Sequence, residues 1–141
     1  MKILVTGANG FIGGYLVSHL LKTGHNVVCC VRSVKTTQER FPMAETISCD
    51  FNKDTQIGCW LPRLHDIDAV INCAGILTGS RGQNIANIHY YTPLALFKAC
   101  EQANIKRVIQ LSALGIEDGP DIDDVKTKGQ ADEALLKLNL T

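Results

Sequence analysis

Short, continuously apolar runs alternate along the chain with longer stretches of helical periodicity. Ile3, Leu4 and Val5 predict a first strand. Between residues 11 and 23, Ile12, Leu16 and Leu20 recur at every fourth position, with Val17 and Leu21 beside them. That spacing predicts a helix with one apolar face, and Gly24 is placed to stop it. Residues 27–31 predict a second strand, 45–49 a shorter third, 69–73 a fourth and 106–111 a fifth. Residues 83–104 predict a helix that is firm from Thr92, where a threonine cap followed by Pro93 suits a helix start. Residues 121–138 predict a last helix, acidic early and basic at Lys137, as the helix dipole favours. The polar stretches 33–44 and 79–82 read as loops, the second of them mobile. Strands that are apolar on both faces and separated by helices call for a doubly wound α/β sheet, parallel and covered on both sides, with five strands.

Composition narrows the class. The 141 residues are 45% hydrophobic and 20% charged, with a formal net charge of zero. A neutral surface gives no bulk attraction for nucleic acid. No apolar run approaches the roughly 18 residues that span a bilayer. The apolar run after Met1 and Lys2 is too short for the core of a signal peptide, so a cytoplasmic protein is expected. The six cysteines (Cys29, Cys30, Cys49, Cys59, Cys73 and Cys100) form no C-x-x-C pair. They are expected to be free thiols packed as small hydrophobes, with no metal site.

The sharpest chemical signal is Thr6-Gly7-Ala8-Asn9-Gly10-Phe11-Ile12-Gly13, which follows a strand and opens a helix. A turn this tight needs glycine for its backbone angles. A second glycine lets the backbone approach a pyrophosphate, and a third lets the helix pack near the strand. The free N–H groups of the helix start then face the anion. The spacing is G-x-x-G-x-x-G, and its context of strand, turn and helix makes it specific. Arg32 ends the second strand, where a dinucleotide fold places the side chain that reads the adenosine ribose. An acid there would bind the 2′-hydroxyl of NAD. An arginine suits the 2′-phosphate of NADP, because guanidinium grips phosphate with two parallel hydrogen bonds. NADP(H) is therefore expected over NAD(H), with Lys35 as a helper.

Over essentially its whole length the sequence resembles the short-chain dehydrogenase/reductase superfamily. It is most similar to the extended and atypical branches, which include NAD-dependent epimerases and dehydratases, NmrA-like regulators and an accessory subunit of respiratory complex I. The segment Thr6 to Gly13 resembles the superfamily's T-G-x-x-G-x-x-G. The resemblance implies a Rossmann-type fold and assigns Gly7, Asn9, Gly10, Phe11, Ile12 and Gly13 to the cofactor. It implies that Asp50 and Phe51 lie near the adenine, and that Cys73, Ala74 and Gly75 line the cofactor with their backbone. Ser112 in Leu111-Ser112-Ala113 falls on the active-site serine. Lys128 in Thr127-Lys128-Gly129 falls on the catalytic lysine, which also holds the cofactor.

Two residues depart from the pattern. Four positions before Lys128 the superfamily has a tyrosine that exchanges a proton with substrate, and here stands Asp124. An aspartate is shorter, and a nearby lysine holds it ionised, with no proton to give. His89 falls where relatives often carry an asparagine, and packing alone would also account for it. The chain also stops where relatives begin a sixth strand and a substrate-binding region. All of residues 1–141 are therefore expected to form the cofactor half, truncated before the sixth strand, with an unknown small-molecule substrate. The resemblance implies a homodimer through helices 83–104 and 121–138. Three functions follow: an NADP-dependent oxidoreductase or nucleotide-sugar epimerase, a non-catalytic NADP(H)-binding regulatory or structural protein, or an interaction surface that binds no dinucleotide.

Overall fold

The computed structural model describes residues 1–75, 83–112 and 123–140, with the side chains of residues 123–125 outside that description. Five strands, β1 (Lys2–Thr6), β2 (Asn26–Val31), β3 (Glu45–Ser48), β4 (Ala69–Asn72) and β5 (Arg107–Gln110), form one sheet in the order β3-β2-β1-β4-β5. Every pairing is parallel, with Val5 opposite Cys29 and Ile71, and Cys30 opposite Ile47. Helix α1 (Phe11–Lys22) and helix α2 (Val34–Arg40) cover one face. The short α3 (Ile57–Trp60), α4 (Thr92–Gln102) and α5 (Asp123–Leu136) cover the other.

Side-chain alternation along the strands divides the core in two. Leu4, Val28, Cys30, Val70 and Val108 point toward Trp60, Leu96 and Phe97. Ile3, Val5, Val27, Cys29, Val31 and Ile71 point toward Val17 and Phe41. A strand buried on both faces has no polar side to show, which is why these runs read as continuously apolar. Helix α1 stops at Thr23, and Gly24 follows at φ +87°, in the left-handed conformation that suits glycine. His25 N–H bonds back to Leu20 O at 3.1 Å.

Two expectations need correction. Residues 33–44 are not simply a loop, because Val34–Arg40 is the helix α2. Its inward residues Val34, Thr37 and Phe41 include a threonine, so the apolar stripe is too thin to recognise. Thr92 is not a helix cap. The chain is already helical before it, through a wide π turn at Asn87–Tyr91 in which Thr92 N–H reaches five residues back to Asn87 O. Pro93 has no N–H to offer His89 O, and the widened turn is one way for a helix to absorb that loss. The Thr92 hydroxyl donates instead to Phe51 O at 2.7 Å. The loop 79–82, Ala113 and the expected helix start at Asp121 lie outside the described residues.

Among the described residues no helix is long and apolar enough to cross a membrane.

Candidate functional site

Strand order reverses between β1 and β4, and a parallel α/β sheet opens a crevice at the carboxyl ends of its strands at such a point. Here a cleft of about 240 Å³ opens over the ends of β1, β2 and β4. Its lining joins Gly7, Asn9 and Gly10 to Arg32, Phe51, Cys73, Ala74 and Gly75, residues the sequence had assigned to one cofactor. It adds Cys30, Val31, Ser33, Cys49, Asn52, Gln83 and Ile88.

The glycine turn has the shape the sequence predicts. Gly7 sits at φ +63°, and a Cβ there would lie 2.7 Å from the carbonyl carbon and oxygen of Cys73. The turn closes with Gly10 N–H on Gly7 O at 3.0 Å. Buried Gly13 packs beneath Gly7, so that any side chain there would strike the Gly7 carbonyl. Gly10 caps α1 without a side-chain bond, and the first turn carries no acid. The opening amides of α1 are thus left for an anion. Phe11, 94% exposed, and Ile12 stand at the mouth of this turn and are not part of the cleft wall.

A chain of polar groups fixes the far wall. Asn72 accepts from the Thr6 hydroxyl at 2.5 Å and from Ala74 N–H at 3.3 Å, and donates to Gln110 at 2.6 Å. It thereby orients the backbone of Cys73 to Gly75. Asp50 does not line the cleft. Its carboxylate accepts the Asn52 N–H at 2.9 Å and shapes the turn that presents Phe51 and Asn52.

At the other end, Lys128 Nζ donates to Leu111 O at 2.9 Å, next to Ser112. A Cβ on Gly75 would lie 3.1 Å from Lys128 Cε and 3.6 Å from His89 Nε2, so these three residues converge. His89 is 1% exposed, and its Nδ1 lies 3.2 Å from the Thr127 hydroxyl. The Ser112 hydroxyl donates to Asp132. The side chain of Asp124 lies outside the described residues.

Three residues escaped the sequence reading. Asp132 is bonded to Ser112, and its second carboxylate oxygen is buried with no hydrogen-bond partner among the described residues. Asn52 receives the Asn84 N–H at 2.7 Å, and its carbonyl takes the Asn87 side chain at 2.8 Å. Arg40 donates from Nη1 to Asn9 O at 3.1 Å. Each pairing joins residues twenty or more positions apart, so no local spacing could announce it. Among the described residues no three His, Cys, Asp or Glu side chains gather into a metal site.

Burial shapes the titration. It lowers the pKa of Lys128, with Asp132 and Cys73 pulling the other way. It pushes Cys29 up to about 11 and Cys100 up to about 12, and raises Cys73. Cys30 is raised by its hydrogen bond with Cys49 and by burial. A group with a raised folded-state pKa contributes stability below its unfolded value and loses it as pH climbs. For the thiols that loss begins near the ordinary value of 9.0. Lys128 has the opposite sign, its burial penalty fading as pH rises toward 10.5, but it stands alone against four thiols. The urea midpoint is therefore expected to fall above pH 9.0, and to fall less steeply in Cys100→Ala. A midpoint that holds or rises over that range would contradict the assignment.

The model of the NAD dependent epimerase/dehydratase family matches residues 3–130. Photosystem II assembly factor Ycf39 of Synechocystis sp. is 28% identical over 141 residues, which cover 99% of this chain and 42% of that protein. An NAD-dependent epimerase/dehydratase of Bacillus halodurans superposes with a TM-score of 0.85 at 27% identity, over 99% of this chain and 66% of its own. MoeE5, solved in complex with UDP-glucose and NAD, superposes with a TM-score of 0.72 at 28% identity, over 96% of this chain and 48% of its own. The chain thus spans less than half of Ycf39 and MoeE5, and about two thirds of the Bacillus protein.

Proposed function

The chain belongs to the NAD dependent epimerase/dehydratase family, and from that premise we propose that it is the NADP(H)-holding half of an oxidoreductase or nucleotide-sugar epimerase. One observation carries the reading: a single cleft joins the glycine turn to Arg32. The residues present suit a dinucleotide, because the turn is bare of side chains where a pyrophosphate would lie and uncapped amides face it.

In this reading the amides of Phe11, Ile12 and Gly13 receive the pyrophosphate, and Arg32 grips the 2′-phosphate. Phe51 flanks the adenine, with Asp50 holding its turn. Cys73, Ala74 and Gly75 offer backbone to the nicotinamide half, and Lys128 holds the nicotinamide ribose. The bound dinucleotide supplies hydride transfer. Ser112 holds the substrate oxygen, an assignment supported by its exposed position beside Lys128. Asp124, at the position of the usual tyrosine, is expected to be ionised and unable to donate. Proton exchange is then slower by about 10²–10⁴-fold than with a positioned acid. A homodimer and a cytoplasmic location remain part of the same proposal.

Arg32→Ala tests the cofactor assignment. A charge-assisted hydrogen bond is worth about 1.5–3 kcal/mol, so NADPH is expected to bind about 10–100-fold more weakly. NADH affinity is expected to change by less than about threefold, since its neutral ribose hydroxyl brings no charge to pair with the guanidinium. Equal weakening of both cofactors in fluorescence titrations would remove the 2′-phosphate assignment.

A further inference from the structure

We propose that Asp132 is a positioning residue that makes Ser112 a hydrogen-bond acceptor, so that the site receives the hydroxyl of an alcohol in preference to the carbonyl of a ketone. This rests on the oxidoreductase or epimerase reading above and names its substrate class.

Ser112 has little freedom of place. It follows β5, and both backbone polar groups of the residue before it are engaged. Leu111 N–H donates to Asn72 O at 3.0 Å, and Leu111 O accepts from Lys128 Nζ at 2.9 Å. Helix α5 is anchored too, since Ala131, the residue before Asp132, is fully buried in the core. The two side chains meet, and the Ser112 hydroxyl donates to Asp132 Oδ2.

A serine hydroxyl has one proton and two lone pairs, and an ionised carboxylate has only lone pairs. Their hydrogen bond therefore spends the proton of Ser112 and leaves the serine oxygen as an acceptor. Lys128 stands one turn earlier on α5, and the attraction of Asp132 holds its pKa up against the effect of burial. The other carboxylate oxygen, Asp132 Oδ1, is buried with no hydrogen-bond partner among the described residues. Acceptors thus dominate this wall. Where relatives carry a proton-donating tyrosine the chain has Asp124. The donors nearby have other work. Lys128 donates to Leu111 O and, in the reading above, to the nicotinamide ribose, while the Thr127 hydroxyl lies 3.2 Å from His89 Nδ1.

An alcohol brings the proton that this wall lacks. A ketone brings one more acceptor and gains no bond from Ser112. A site built to bond a substrate hydroxyl rejects the analogue without one, because its own polar groups are then left unpaired. An alcohol enters hydride transfer as the reduced partner, so the oxidised cofactor is the form it meets.

The test is titration of the purified chain, saturated with NADP+, with cyclohexanol and with cyclohexanone, two probes of similar shape, followed by ligand-observed NMR. Wild type is expected to bind cyclohexanol about three- to tenfold more tightly, the worth of one hydrogen bond. Asp132→Ala frees the serine proton, and the preference is expected to vanish or reverse. Asp132→Glu keeps the carboxylate and is expected to restore the preference in part. Ser112→Ala keeps Asp132 and is expected to bind the two probes alike. Circular dichroism checks each fold. Asp132→Asn, of the same size, carries the test should the alanine variant not fold, and is expected to lower the preference because its amide can donate to Ser112. An Asp132 that only supports the fold would weaken both probes equally. That result, or a wild type that favours the ketone or binds neither probe, would overturn the proposal. NADPH affinity measured on the same samples separates the two readings. Normal NADPH binding without an alcohol preference overturns the role of Asp132 alone, and a chain that binds no dinucleotide overturns both.

Discussion

Gly7→Ala is expected to abolish dinucleotide binding and to cost the fold about 2–5 kcal/mol. Two effects add. A left-handed backbone costs a residue with a Cβ about 1–2 kcal/mol, and Gly7 holds φ +63°. The new methyl would also lie 2.7 Å from the Cys73 carbonyl, on backbone rather than on a side chain that can swing aside. Overpacking of this kind costs about 1–3 kcal/mol. To relieve the clash, the turn must move away from the end of β4. That shift displaces Gly10 and the amides of α1 from the cleft. Urea unfolding and NADPH titration check the two halves separately. A variant with wild-type stability and wild-type affinity would show that the turn is not built as described.

The second large effect is expected at Trp60, which is fully buried. Its indole N–H donates to Asp54 O at 2.9 Å, and its ring meets Phe51 edge-on at 5.5 Å. Arg63 lies over the same ring at 4.7 Å and pairs with Asp54 at 2.9 Å. Removing a buried aromatic costs about 3–5 kcal/mol, and Trp60→Ala is expected to fall in that range. The loss should also reach the cleft, because Phe51 leans on Trp60 and forms part of the wall. A several-fold weaker NADPH affinity is therefore expected, and Trp60→Phe is expected to restore most of both losses. Stability must be read by circular dichroism, since Trp60 is the only tryptophan. A loss under about 1 kcal/mol would contradict the packing described.

The inner strands β1, β2 and β4 were legible because both their faces are buried, and nothing polar interrupts Leu4-Val5 or Val70-Ile71. The glycine turn was legible because three glycines at fixed spacing have one common physical cause. Helix α2 was not, since its buried face consists of Val34, Thr37 and Phe41 rather than an aliphatic stripe. The π turn was hidden by Pro93, whose missing amide marks a helix start as readily as a widened turn. In the site, Ser112 and Lys128 were reached through resemblance, and the fold brings Lys128 against the carbonyl that precedes Ser112. Asp132 and Arg40 carried no signal. Their partners Ser112 and Asn9 lie 20 and 31 residues away, and only tertiary packing brings them together. Asp50 shows the converse, a residue that the resemblance assigned to the adenine and whose carboxylate is spent on its own turn.

The central claim is that the cleft between the glycine turn and Arg32 holds NADP(H). Its most direct test is titration of the purified wild-type chain with NADPH and with NADH, following cofactor fluorescence. Saturable NADPH binding about 10–100-fold tighter than NADH is expected, the difference that charge-assisted contacts to one phosphate supply. Equal affinity for the two cofactors would contradict the role of Arg32, and binding of neither would contradict the site itself.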